Sequence, residues 1–133
     1  MSVKPFTIGG AQYNAAMASA VDQDRLMSLL SGAVLERFAT AAQAGIEVDG
    51  QVLCSMFMSM RQDVKSQVVQ ILMTRVFING TERAITVADF GGKMVHYNQL
   101  LAELLRWNLS DFFDWLPSGE KGARQQGAES AAQ

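Results

Sequence analysis

Residues 85–118 read ITVADFGGKMVHYNQLLAELLRWNLSDFFDWLPS, and the parsing of this stretch decides the fold. Thr86 is placed to cap a helix, and Asp89, three residues on, to return the hydrogen bond in capping-box fashion. Phe90, Met94, Tyr97, Leu101, Leu104 and Leu105 then recur at helical spacing, so the stretch predicts a helix from Thr86 to about Asn108 that buries them. Gly91-Gly92 weakens its start by about 1 kcal/mol per glycine. Ser110 is read as the cap of a short last helix through Leu116, which Pro117 ends. That last helix carries Phe112, Phe113, Trp115 and Leu116. Such a cluster either closes the core or is offered to another protein.

Beyond Pro117 the chain has no aromatic, β-branched or leucine residue. It cannot offset its ordering entropy by burial, so residues 118–133 are expected to be a disordered, flexible tail behind a single helical domain at 1–117. Working back from residue 85, VFINGTERAITV holds Asn79-Gly80 between Ile78 and Thr81. This is the signal of a minor β-hairpin near 76–85, or of a plain turn joining two helices. Residues 50–76 predict helix, with Asp49 as N-cap, a break around 61–63 and Asp63 capping a second piece. Val52, Leu53, Met56, Phe57, Met60, Val64, Val68, Ile71 and Leu72 keep to one side. Met58, Val69 and Met73 fall off that stripe, so this segment is expected to be covered on more than one side, within the chain or by another subunit.

Residues 21–43 predict one helix with Leu26, Leu29, Leu30, Ala33, Val34, Phe38 and Ala41 on its apolar face, Asp22 and Asp24 at its start, and Gly45 as its stop. Residues 3–14 read as extended, with a turn at Gly9-Gly10. The fold class is therefore mainly α: a small helical domain with a short extended N-terminus, a minor hairpin near 76–85 and a disordered C-terminal tail.

Composition narrows the function. The chain has 133 residues, 49% hydrophobic and 18% charged, with a net charge of -2. A core of ordinary size needs no disulfide or metal at this length. No basic face is legible, so neither nucleic acid nor an anionic membrane is an expected partner. The apolar runs are too short to span a bilayer, and MSVKPFTIGG lacks the signature of a secretory signal. A single cysteine, Cys54, fits a reducing compartment. Eight methionines, among them Met56, Met58 and Met60 on one helix, suit a helical core and also adaptable contact surfaces.

The residues of a catalytic site are scarce. His96 is the only histidine, and nothing in the spacing joins it to Cys54 as a nucleophile and base. One His and one Cys do not make a zinc site, and Glu103, Asp111 and Asp114 read as helix-end acids rather than ligands. FGGKM at 90–94 is a faint echo of a phosphate loop without the strand it needs. A recognition helix is also a poor fit, because Lys93, Asn98, Gln99 and Arg106 are spread around their helix. No catalytic residue, cofactor or metal is expected. The profile is that of a protein that binds proteins, with Phe112, Phe113, Trp115, Leu116, Met56, Met58 and Met60 as candidate contact residues and a homo-oligomer as the expected state.

The motifs also carry a resemblance. Residues 85–118 resemble the tail assembly chaperones of long-tailed, lambda-like phages and prophages: a helix opening after T-x-x-D-F (Thr86, Asp89, Phe90), a leucine-rich run (Leu100, Leu101, Leu104) ending in Asn108, and a D-F-F element (Asp111, Phe112, Phe113). The start KPFTIGGAQY is similar to the extended start of that family, so the resemblance spans about residues 3–118. It implies a non-catalytic protein of the bacterial host cytoplasm, absent from the mature virion. Such a protein coats the long helical tape measure protein, keeps it soluble, helps recruit tail tube protein, and self-assembles. It also implies that a longer form arises by ribosomal frameshifting. Glu120-Lys121 can be encoded by a run of adenines on which ribosomes slip, and the tail would then link to a second domain. The alternative is a helical adaptor or regulator of bacterial or prophage origin, and after it an enzyme working through Cys54 or His96.

Overall fold

The computed structural model describes residues 3–30, 33–78 and 83–115, without the side chains of 33–35. In chain order the elements are β1 (Val3–Ile8), β2 (Ala11–Ala16), α1 (Ala20–Leu29), α2 (Ala33–Gln43), α3 (Gly50–Ser59), α4 (Gln62–Met73), β3 (Val76–Ile78), a 3₁₀ turn (Val87–Phe90), α5 (Met94–Asn108) and α6 (Ser110–Trp115). The fold is mostly helical, as its periodicity predicts. The extended part is larger than expected, because all three strands form one antiparallel sheet in the order β1-β2-β3. The expected turn at Asn79-Gly80, Leu116 and the tail 118–133 lie outside the described residues. The flanks of that turn do pair: Phe77 bridges Ala84, and the Ile85 N–H donates to the Val76 carbonyl at 3.0 Å.

The leucine run makes α5 the axis of the fold. Leu100, Leu101, Ala102, Leu104 and Leu105 are fully enclosed, each leucine contributing about 2 kcal/mol by burial. They can be enclosed on so broad an arc because α3 packs along one side, with α4 beside it, and the hairpin lies on another. The hairpin turns on Gly9 (φ 58°) and Gly10 (φ 84°), the left-handed pair a two-residue turn requires. Pairing of Ile8 with Ala11 and of Phe6 with Tyr13 sets the register. Phe6, Tyr13, Ala15 and, from β3, Val76 are buried together on the inner face. By the alternation of an antiparallel ladder, Pro5 opposite Asn14 points its missing N–H away from β2, so it costs the ladder nothing.

Two polar side chains are buried in α5, and both are satisfied. Asn98 donates to the Met94 carbonyl at 2.7 Å and accepts from Lys65 Nζ at 2.6 Å, pinning α5 to α4. Asn108 donates to the Leu104 carbonyl at 2.9 Å and accepts from the Ala18 N–H at 2.7 Å, pinning α5 to the chain that leaves the sheet. Leaving either partner group unmet would cost about 1–3 kcal/mol.

Several local readings hold. Asp49 caps α3 by accepting from the Val52 N–H at 3.0 Å. Gly45 (φ 84°) ends α2 in a Schellman motif, with Ile46 N–H on Ala41 O and Gly45 N–H on Ala42 O. The helices of 50–76 do break, at Met60-Arg61.

Others are corrected. Residues 21–43 form two helices rather than one, the first closing at Leu30, whose backbone has left helical geometry (φ -89°, ψ 6°). Asp63 does not cap α4: it lies inside the first turn and accepts from the N–H of Val64, its immediate neighbour. The helix expected from Thr86 starts only at Met94. Thr86 N–H does donate to Asp89 Oδ2 at 2.8 Å, but this box closes only a 3₁₀ turn. Gly91 (ψ 125°) and Gly92 (φ 74°) then leave helical space. Met94, thus at a helix start, is 48% exposed rather than buried. Ser110 is the first residue of α6 rather than a cap set off before it, because Leu109 closes α5 immediately ahead.

Candidate protein-binding surfaces

The aromatic end is graded. On the six residues of α6, Phe113 points opposite to Asp111, while Asp114 and Trp115 lie to either side of Asp111. Phe113 packs on Phe38 of α2, ring centres 5.8 Å apart, and Phe112 stacks edge-on against Phe113 at 5.2 Å. Both are half-buried against the core. Trp115 follows Phe112 at 6.2 Å and is 75% exposed. The aromatic row thus runs from fully packed Phe38 out to a solvated indole.

The methionines of α3 divide by helical spacing. Met56 and Met60, one turn apart, are half-buried against the core. Met58 lies on the other side and is 52% exposed. It stands at the lip of a groove of about 540 Å³ where the β1–β2 turn, the start of α3 and α5 meet. Val95, 54% exposed, is another apolar residue at this groove, Ile8 and Cys54 lie in its floor, and Gln51, Gln99 and Glu103 add polar edges. Two glycines let the walls approach. A Cβ at Gly9 would lie 2.5 Å from His96 Cε1, and one at Gly50 would overlap Glu103 Oε1. The Glu103 carboxylate is therefore set beside the first turn of α3, where the helix dipole favours it.

The chemistry of this groove is subdued. Burial pushes the Cys54 thiol up, with the Lys65 ammonium opposing, so Cys54 is a poor thiolate at neutral pH. Burial lowers Lys65, with Cys54 opposing, while the amine sits 5.5 Å from the Tyr97 ring centre and on Asn98. Burial also raises Tyr97. His96 is half-buried against Gly9. Among the described residues no three His, Cys, Asp or Glu side chains gather as a metal site, and no helix is long and apolar enough to cross a membrane.

A second concavity, about 300 Å³, lies between α1 and α4 and is polar. Arg25 and Arg75 line it with Gln67 and Gln70 over Ala18 and Ile71. Sequence reasoning missed both this cleft and Val95. Val95 could have been suspected from its place off the buried stripe of its helix. The two arginines carry no such signal, since separate elements bring them together. No protein family model, curated protein or solved structure matches the chain.

Proposed function

We propose that this chain is a non-catalytic tail assembly chaperone of a long-tailed, lambda-like phage or prophage, acting in the host cytoplasm. It would hold the tape measure protein soluble and help bring tail tube protein to it. The resemblance of residues 85–118 and of KPFTIGGAQY supports the family. The observation that carries the activity is the groove beside Met58 and Val95, both more than half exposed at its edge. A long helical client presents apolar stripes, and a groove with a flexible thioether at its lip suits many such stripes without demanding one sequence. A buried, proton-bearing Cys54 is in keeping with binding rather than turnover.

The test is co-expression with the tape measure protein of the phage or prophage that carries this chain. The chain should keep that client in the soluble fraction and co-purify with it. Met58→Asp with Val95→Asp should lose at least about tenfold in client affinity, because buried carboxylates would have no partner, while far-UV helicity stays. Cys54→Ala with His96→Ala should retain client binding. A client equally soluble without the chain would refute the proposal and favour the adaptor reading.

A further inference from the structure

We infer that this chain self-associates head to tail, the exposed stripe of α6 on one copy docking into the α1–α4 cleft of another. The ion pairs among the described residues are Arg61–Asp63, Arg83–Asp89 and Arg106–Glu47. Arg25 and Arg75 take part in none of them, yet they line the same cleft. Asp111 and Asp114 take part in none either, and they share one stripe of α6 with Trp115.

The apolar groups match as well as the charges. Val21, 78% exposed, lies one turn before Arg25 on the same side of α1. Trp115 is 75% exposed on the acidic stripe. Seating α6 along α1 covers the valine with the indole and sets two carboxylates against two guanidiniums, which pair in bidentate fashion and stack on indole faces. Gln67 and Gln70 supply further donors at the edge, and Asp22, the one carboxylate in the cleft, sets α6 toward the arginine end.

The occupant is a second copy, because α6 cannot reach its own cleft. Phe113 on Phe38 anchors it to α2, whereas the cleft lies between α1 and α4. Each copy therefore offers one stripe and one cleft at different places, a heterologous contact that closes into a ring or extends as a filament. Self-assembly is already implied by the chaperone resemblance; what is added here is the contact itself, which rests on these two surfaces and not on that resemblance.

Analytical ultracentrifugation of the full chain tests it without any client, so its failure leaves the client-binding proposal standing. The wild-type mass should rise with protein concentration at low salt and fall as salt screens the pairs. R25E/R75E alone and D111R/D114R alone should each weaken association at least about tenfold. An equimolar mixture of the two should regain it, because each reversed cleft then meets a reversed stripe. Trp115→Ser, at a solvated position that leaves folding intact, should weaken it about tenfold by losing the indole cover. A wild type that stays monomeric, association indifferent to Trp115→Ser, or folded charge-reversal partners that stay apart when mixed would each overturn the inference.

Discussion

Two aromatic sets in this molecule have similar composition and opposite fates. Tyr13, Phe90 and Tyr97 join the hairpin, the 3₁₀ turn and α5 with ring centres 5.9 and 5.3 Å apart, and all three are buried. Phe112, Phe113 and Trp115 stand on one six-residue helix and grade from half-buried to 75% exposed. The first set draws its rings from three elements, so each covers the others. The second draws them from neighbouring positions of one short helix, which points them in different directions, and among the described residues only Phe113 meets another element's ring. What buries an aromatic side chain here is how many elements contribute, not how many rings stand close in sequence.

The most direct way to break that comparison is by truncation. Phe90→Ala should cost about 3–5 kcal/mol, the range for an enclosed ring. Trp115→Ser should stay within about 0.5 kcal/mol. Guanidinium denaturation measures both, and comparable losses would mean that the second set is also core. Phe113→Ala, half-buried, should fall between them at about 2 kcal/mol.

Next comes the turn that holds Tyr13 in place. Gly9→Ala should cost about 3 kcal/mol, since a left-handed alanine costs about 1–2 and its methyl overpacks against His96. Gly10→Ala, with open space around it, should cost only about 1 kcal/mol. The double variant Gly9→Ala with His96→Ala should recover part of the difference in a thermodynamic cycle. Strict additivity would mean that the imidazole simply moves aside.

Asn108→Ala should lose about 2 kcal/mol by orphaning the Ala18 N–H. Asn108 belongs to the α5 framework behind the first set, and among the described residues no comparable side-chain hydrogen bond ties α6 to another element. Hydrogen exchange should therefore protect α5 and leave α6 open.

The smallest effect concerns the 3₁₀ turn that delivers Phe90. Hydrogen bonds from Arg83 and from the Thr86 backbone hold the Asp89 carboxyl below its ordinary 3.8. A lowered carboxyl stabilises the fold above its unfolded value and loses that contribution as pH falls through the folded one. The thermal-stability gap between wild type and Asp89→Asn should therefore be widest above about pH 4 and narrow below it. A gap constant from pH 2 to 7 would remove Asp89 ionisation from the turn's stability.

What the sequence made legible follows the same division between local and distributed causes. Asp49, Gly45 and the Gly9-Gly10 turn were readable because each acts on its own neighbours, and Leu101, Leu104 and Leu105 because a stripe is periodic. The box at Thr86 and Asp89 forms as its spacing predicts, but it does not start the long helix. Box geometry spans only one turn, and two glycines beyond it take non-helical angles. Pairing of β3 with β2 was not legible, because Tyr13 and Ile78 meet across four intervening helices. At the surface, Met58 could be separated from Met56 and Met60 by spacing alone. The cleft of Arg25 and Arg75 needed α1 and the chain beyond α4 to be placed side by side.

Pro5 gives the hairpin a polarity that matters when many copies crowd together. A bare outer strand is a template on which another chain can crystallise backbone to backbone, a step that is slow to reverse. Here the middle of that strand presents a ring where the template needs a donor. Copies that meet at this edge are left to do so through side chains, by contacts that salt and dilution dissolve, so along β1 a crowd of this protein stays a reservoir rather than becoming a deposit.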